Sequence, residues 1–270
     1  MKRKVNYLGN RELLAEIHKS KTTYCCFLDD EAKNYDLILR DIKDIKEATI
    51  AQALQNRIDR LTRQAKDQLK ADNASATKIS AFNIDPTSID PTTLVFRVMT
   101  YDHIPLDTER TRKAVKNSDN HIKVNFPPFK HYRLDAESNL VEVGKSHWAN
   151  GLHNGVFSVT GGKLTNRLAS QFMLLVERYS QKGNWRGYTY LDDMKGQALV
   201  QLIDAALKFD EGMSDNPFSY YTMIITNCFR GILNSEKRVS DIKNKIMVES
   251  GYSATFEKQA EGDVGGGSSE

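Results

Sequence analysis

Leu191-Asp192-Asp193-Met194 opens a segment that closes on Lys208-Phe209-Asp210-Glu211, and after a polar turn comes Asn216-Pro217-Phe218-Ser219-Tyr220-Tyr221. The reading of residues 190–221 decides the fold. Asp192 can cap a helix on which Met194, Ala198, Leu202, Ala205 and Phe209 recur at steps of three and four, the spacing of one apolar face. Residues 210–216 are polar and turn-forming, and Pro217 suits the first position of a following helix, where its missing N–H costs nothing. Phe218, Tyr221, Ile225, Cys228 and Ile232 then share a face. None of these residues is arranged for bond-making. Their pattern suits helices that grip a partner and offer aromatic rings to unpaired bases.

Working outward, Thr165 can cap an earlier helix with Leu168, Phe172, Leu175 and Tyr179 on its apolar side, ending near Gly183. A Trp185-Arg186-Gly187-Tyr188 loop links it to the next helix, while Arg230, Lys237, Arg238, Lys243 and Lys245 gather at and beyond the last. Residues 164–250 therefore read as a three-helix unit with a basic tail.

Residues 1–72 read as a helical segment. Asn10 can cap a short helix over 10–20 with Leu13, Leu14 and Ile17 on one face. From 31 to 72 no Pro or Gly interrupts a pattern of Ile38, Ile42, Ile45, Leu54, Ile58, Leu61 and Ala65, which predicts one long amphipathic helix or two. Its outer face mixes Arg57, Arg60, Arg63 and Lys66 with Asp59 and Asp67, a solvated face laced with ion pairs. Residues 73–93, with Asp85-Pro86 and Asp90-Pro91, form the clearest linker. Residues 73–163 read as a small α+β or β insertion, with strands over 93–101, 140–143 and 155–160. Phe126-Pro127-Pro128-Phe129 reads as a hydrophobic plug under a loop, with a docking surface as the other reading. Residues 251–270 are Gly- and Ser-rich and predicted to be disordered. The fold class expected is mainly α.

With 270 residues, 40% of them hydrophobic, the chain can bury a sizeable core. It has no run of eighteen apolar residues and no apolar stretch at Met1-Lys2-Arg3-Lys4, so a membrane or secretory protein is not expected and a cytoplasmic one is. Cys25, Cys26 and Cys228 fit neither a disulfide framework nor a zinc site. A formal charge of +3 neither requires nor excludes nucleic acid; its placement matters more.

Catalytic templates fail in turn. Gly162-Lys163 would need a glycine where Phe157 stands and a Ser or Thr where Leu164 stands to make a phosphate loop. The histidines, His18, His103, His121, His131, His147 and His153, include no i, i+4 pair with an adjacent Glu. Ser158 and Ser219 lie in no Gly-x-Ser-x-Gly elbow, and capping explains Asp192 and Asp193. No enzyme, metal site or cofactor is expected.

Phe209-Asp210-Glu211 followed by Phe218-Ser219-Tyr220-Tyr221 resembles the second conserved region of the sigma-factor superfamily. With Val5-Asn6-Tyr7, Asn10-Arg11-Glu12-Leu13-Leu14 and Asn216-Pro217, the chain is similar to the late-transcription sigma factors of T-even-type bacteriophages; the segment 180–188 is similar to versions from marine cyanobacterial phages. The resemblance covers roughly 5–20 and 164–250, the remainder matching only loosely.

The resemblance implies a cytoplasmic protein of an infected bacterial cell that binds bacterial core RNA polymerase and opens a short A+T-rich minus-ten-like promoter element. It implies docking on the clamp helices of the largest polymerase subunit through Met194, Gln197, Val200, Gln201 and Asp204, although Gly196-Gln197 replaces the family's Gln-Glu pair. It implies contact with promoter DNA through Phe209, Phe218, Tyr220 and Tyr221, Tyr221 matching the tyrosine that stacks on a flipped adenine. Arg230, Lys237 and Arg238 would hold phosphates. Ile224 and Ile225 replace the tryptophan pair of primary sigma factors. No helix-turn-helix unit is read after residue 250, so a single promoter element is expected. A phage co-activator and the replication sliding clamp are further partners that the resemblance leaves open, though no clamp-binding motif is visible in the tail. The rival reading is a polymerase-binding adaptor or anti-sigma-type regulator that does not open DNA.

Overall fold

The computed structural model describes residues 8–72, 75, 79, 82–107 and 121–253. Val5-Asn6-Tyr7, part of the expected linker and the tail from 254 onward lie outside the described residues. The chain divides into two compact units, Met1–Gln171 with Ala205–Phe218, and Phe172–Asp204 with Ser219–Glu270.

The first unit begins with α1 (Asn10–Thr22), then β1 (Cys25–Phe27) and β2 (Leu37–Leu39). After α2 (Glu47–Ala71) come β3 (Phe96–Met99), β4 (Phe129–Leu134) and β5 (Leu140–Ser146). A two-stranded ribbon follows, β6 (Trp148–Ala149) with β7 (Val156–Phe157). The larger sheet has five strands in the order β1-β5-β4-β3-β2, antiparallel except where β2 runs parallel to β3.

The expectation of a mainly α chain is therefore overturned. The fold is mixed, 52% helical and 13% strand, with this five-stranded mixed sheet. The all-helical reading of residues 31–72 fails at its front. Ile38 lies in β2, and Ile42 opens a single 3-10 turn capped by the Asp41 side chain, which accepts from Lys43 N at 3.0 Å. Only Glu47–Ala71 is α-helical. Strands of three residues are too short to reveal a period of two, so the Ile38, Ile42, Ile45 spacing imitated a helix face. Residues 1–72 and 73–163 share the sheet, the former contributing both edge strands.

Alternation along β3 gives the sheet two different faces. Phe96 and Val98 join Leu39, Ala53 and Leu94 in a core closed by α2, with Ile50 and Leu54 packed against it. Under α2 the buried Asp36 ties strand to helix: its Oδ2 accepts from Val95 N at 2.9 Å and its Oδ1 lies 2.8 Å from Arg60 Nη2. Arg97 points to the other face, opposite His131 on β4. That face is tightly filled at Gly144, where a Cβ would come within 2.6 Å of the Phe27 ring. Phe126 and Phe129 are both buried, Phe126 against the His147 ring at 4.1 Å, which agrees with the plug reading.

The second unit contains α3 (Asn166–Ser180) from Phe172 on, α4 (Leu191–Ala205) up to Asp204, and α5 (Pro217–Glu249) from Ser219. Thr165 caps α3 as expected, its Oγ1 accepting from Leu168 N at 3.2 Å. Pro217 opens α5. The core is aromatic: Phe229 meets Tyr179 at 5.4 Å and Trp185 at 5.2 Å, both edge-on, and Phe172 meets Tyr221 at 4.8 Å. Tyr179 Oη and Thr226 Oγ1 share a 2.7 Å hydrogen bond, so the buried hydroxyl is satisfied. Gly187 turns the chain toward α4 at φ 92°, a conformation few side chains accept. No described helix is long and apolar enough to cross a membrane.

Candidate functional site

α4 has two distinct sides. Met194, Ala198 and Leu202, spaced four apart, are fully buried. Gln197, Val200 and Asp204 are exposed and Gln201 is half-exposed. Val200 and Ile203, one turn apart, each leave 53% of their surface in solvent. Asp192 is not the cap expected of it. It lies inside the first turn and pairs with Lys195 at 3.0 Å, which also reaches Glu177 at 3.4 Å. Of the residues expected to contact polymerase, Met194 is thus enclosed in the core, while Gln197, Val200, Gln201 and Asp204 are accessible.

The aromatics separate in the same way. Phe218 is 40% exposed and Tyr220 half-buried, so both can meet a ligand as the chain stands. Tyr221 is completely buried against Phe172, and Phe209 is buried as well. Arg230, Lys237 and Arg238 are exposed along α5. Residues 230 and 237 are separated by about two helical turns, so they share one side of α5.

The Phe-Asp-Glu turn has a role that sequence reasoning missed. In the first unit Lys21 Nζ donates to Phe209 O at 2.8 Å and lies 3.4 Å from Glu211 Oε2. Glu211 Oε2 is also 2.6 Å from Arg97 Nη1. The Arg97 guanidinium is held between the Tyr35 and Phe129 rings, 3.9 Å from each centroid. Its Nε donates to His131 Nε2 at 3.0 Å, and its Nη2 meets His18 Nδ1 at 3.2 Å. His131 Nδ1 in turn donates to Ala32 O at 2.7 Å. This bonding fixes His131 as a neutral imidazole, and with Nδ1 facing a permanent donor His18 is neutral too.

Electrostatics follow from that geometry. Burial, reinforced by the Arg97 charge, holds His18 down to about 3 and His131 well below the usual imidazole range. Burial also lowers Lys21, against the pull of Glu211. For Glu211 burial raises the value, but Lys21 and Arg97 outweigh it and the carboxylate is stabilised. The only signal for this cluster in the sequence was a lone arginine inside the apolar run Leu94-Val95-Phe96-Arg97-Val98-Met99.

Asn10 also acts differently from expectation. It does not cap α1; its Oδ1 accepts from Phe218 N at 2.9 Å and so caps the start of α5. Cys25, Cys26 and Cys228 are free of disulfides, and burial pushes Cys25, whose thiol donates to Lys21 O at 3.1 Å, up to about 12, away from nucleophilic chemistry. Among the described residues no group of three His, Cys, Asp or Glu side chains is placed to hold a metal ion. No protein-family model, curated protein or solved structure matches the chain.

Proposed function

We propose that the protein is a phage late-gene sigma factor, which binds bacterial core RNA polymerase and directs melting of a short A+T-rich minus-ten-like promoter element. The observation that carries this reading is α4, whose inner face is sealed while Val200 and Ile203 stand exposed beside Gln197, Gln201 and Asp204. Solvent-facing β-branched residues framed by polar groups suit a docking helix. The motif resemblance adds the polymerase clamp helices as partner. Base contact falls to Phe218 and Tyr220, since Tyr221 and Phe209 are held in cores. Promoter chemistry of this kind is binding without bond-making, and aromatic stacking offsets unstacking by about 1–3 kcal/mol per base.

The direct test is transcription from a supercoiled template with a late-type A+T-rich promoter, using purified core polymerase with and without the protein. Specific start sites are expected. Val200→Asp with Ile203→Asp should weaken polymerase binding at least about 30-fold, the effect of losing a central apolar contact. Tyr220→Ala should reduce permanganate-detected promoter opening while leaving that binding within about twofold, a difference of under 1 kcal/mol.

The adaptor reading is favoured by one specific observation, the complete burial of Tyr221, which withdraws the ring best matched to the stacking position. Stable polymerase binding without initiation would establish the adaptor in place of the sigma factor.

The basic residues of α5 give a separate expectation. Arg230→Ala with Arg238→Ala should flatten the slope of log affinity for promoter DNA against log salt by about 1.4–1.8, the value for two lost phosphate contacts. An unchanged slope, measured by anisotropy over a salt series, would remove these residues from the DNA path.

A further inference from the structure

A cavity of about 510 Å³ lies in the first unit between α1 and α2, within the size range of small-molecule sites. Arg11, Arg60 and Arg63 enter it, with Asp215 as the carboxylate on its lining. Leu14, Ala15 and Tyr35 also line it.

The three guanidinium groups are not equivalent. Arg60 is fixed in place, its Nη1 donating to Tyr35 O at 2.6 Å while its Nη2 holds Asp36. Arg11 has an exposed pairing with Asp67 at 3.1 Å, a contact of small energetic worth that an incoming anion can replace. Arg63 is exposed and has no ion pair among the described residues. Guanidinium groups form planar forks suited to phosphate oxygens, and two adaptable forks, Arg11 and Arg63, beside the fixed charge of Arg60 make a cradle without leaving a buried cation unpaired. A single carboxylate in such a lining repels a bare anion but accepts hydroxyl donors. The combination of phosphate-binding forks, apolar and aromatic lining residues, and one hydroxyl acceptor matches a nucleoside phosphate more closely than inorganic phosphate.

We propose that this cavity binds the phosphate of a nucleotide, with Arg11, Arg60 and Arg63 on the phosphates, Tyr35 and Leu14 beside the base, and Asp215 on the sugar hydroxyls. This site does not rest on the polymerase reading, because it uses none of the residues of α4 or α5. The phosphate can come from a free nucleotide or from the end of a nucleic-acid strand.

Calorimetric titration of the full-length protein with ATP, pyrophosphate and adenosine tests it, alongside anisotropy of a 5′-phosphorylated, labelled single-stranded oligonucleotide. Saturable ATP binding is expected, with adenosine much weaker. Arg11→Gln with Arg63→Gln should weaken ATP about 100-fold by removing two charge-assisted contacts, while the exposed positions leave the melting temperature unchanged. Asp215→Asn should weaken ATP relative to pyrophosphate, which lacks the sugar hydroxyls and is relieved of the carboxylate's repulsion. If ATP binds and the oligonucleotide does not, the source is a free nucleotide; if ATP displaces the bound oligonucleotide and both are lost in the double variant, the source includes strand ends. Absence of binding by every phosphate probe, or binding indifferent to the double substitution in a folded protein, overturns the proposal.

Discussion

Glu211→Ala destabilises the first unit by about 3–5 kcal/mol, the range found when one partner of a buried ion pair is removed. The effect arises from what remains. Arg97 is fully enclosed and Lys21 nearly so, and Glu211 supplies the carboxylate that both contact. Without it, two buried cations face each other with no anion between them, only neutral partners: the Phe209 carbonyl, the His18 and His131 ring nitrogens and neighbouring aromatic rings, the Tyr35 and Phe129 rings among them. Glu211→Gln keeps the volume and a hydrogen-bond acceptor but removes the charge, so it should recover only part of the loss. Arg11→Ala, which deletes the exposed pair with Asp67, should change stability by about 1 kcal/mol or less. Urea midpoints of the three variants provide the measurement. Equal midpoints for Glu211→Ala and Arg11→Ala would mean that the buried cluster is not a source of stability.

Acid should begin to destabilise the protein below pH 6.5, before its carboxylates start to take up protons. His147 is fully buried and pushed down to about 3 from an ordinary 6.5, by burial first and then by His103 and Lys21. A base whose folded value is depressed stays neutral in the native state while the unfolded chain takes up the proton. Stability is therefore intact above pH 6.5 and lost as pH falls toward 3. At about 1.4 kcal/mol per pH unit, His147 alone removes roughly 3 kcal/mol by pH 4.5. His18 and His131 add to the loss with the same sign, since protonating either would place a new N–H against the Arg97 guanidinium. Glu211, whose value is lowered, adds a further loss only below the ordinary glutamate range. Urea midpoints at pH 7 and pH 4.5 should differ strongly, and a His147→Phe variant that folds should narrow the gap. Identical midpoints at the two pH values would contradict the neutral assignments.

The helices of the rear third were legible because each repeats its pattern over several turns. The Leu168, Phe172, Leu175, Tyr179 face is buried as the spacing requires, and of the Phe218, Tyr221, Ile225, Cys228, Ile232 face the middle three are buried while Phe218 is exposed and Ile232 half-buried. The same patterns could not rank aromatics at a shared spacing, since periodicity records which side of a helix is inward and leaves open whether an inward ring also serves a ligand. Only the resemblance assigns Tyr221 to base stacking; the spacing alone points inward. The exposure of Ile203 was equally hidden, because nothing local distinguishes it from a core isoleucine. At the front of the chain the loss was larger. β1 and β2 are three residues each, and they are strands only because distant segments pair with them: Cys25 with Ser146, Leu37 with Phe96. The buried charge cluster joins α1, β3, β4 and the turn at 209–211, so no window of sequence contains its logic.

Both edges of the sheet come from residues before 40, while the strands between them come after 95. On the ribosome, β1 must wait for more than a hundred further residues before β5 exists to receive it. Arg97 must wait as long again for Glu211. Loop closure over such separations is slow, and the early strands meanwhile expose unpaired backbone. The first unit thus cannot finish folding until most of the chain has been made, and a nascent chain released before residue 211 would hold an arginine in its interior with no counter-ion, a form suited to capture by chaperones and proteases.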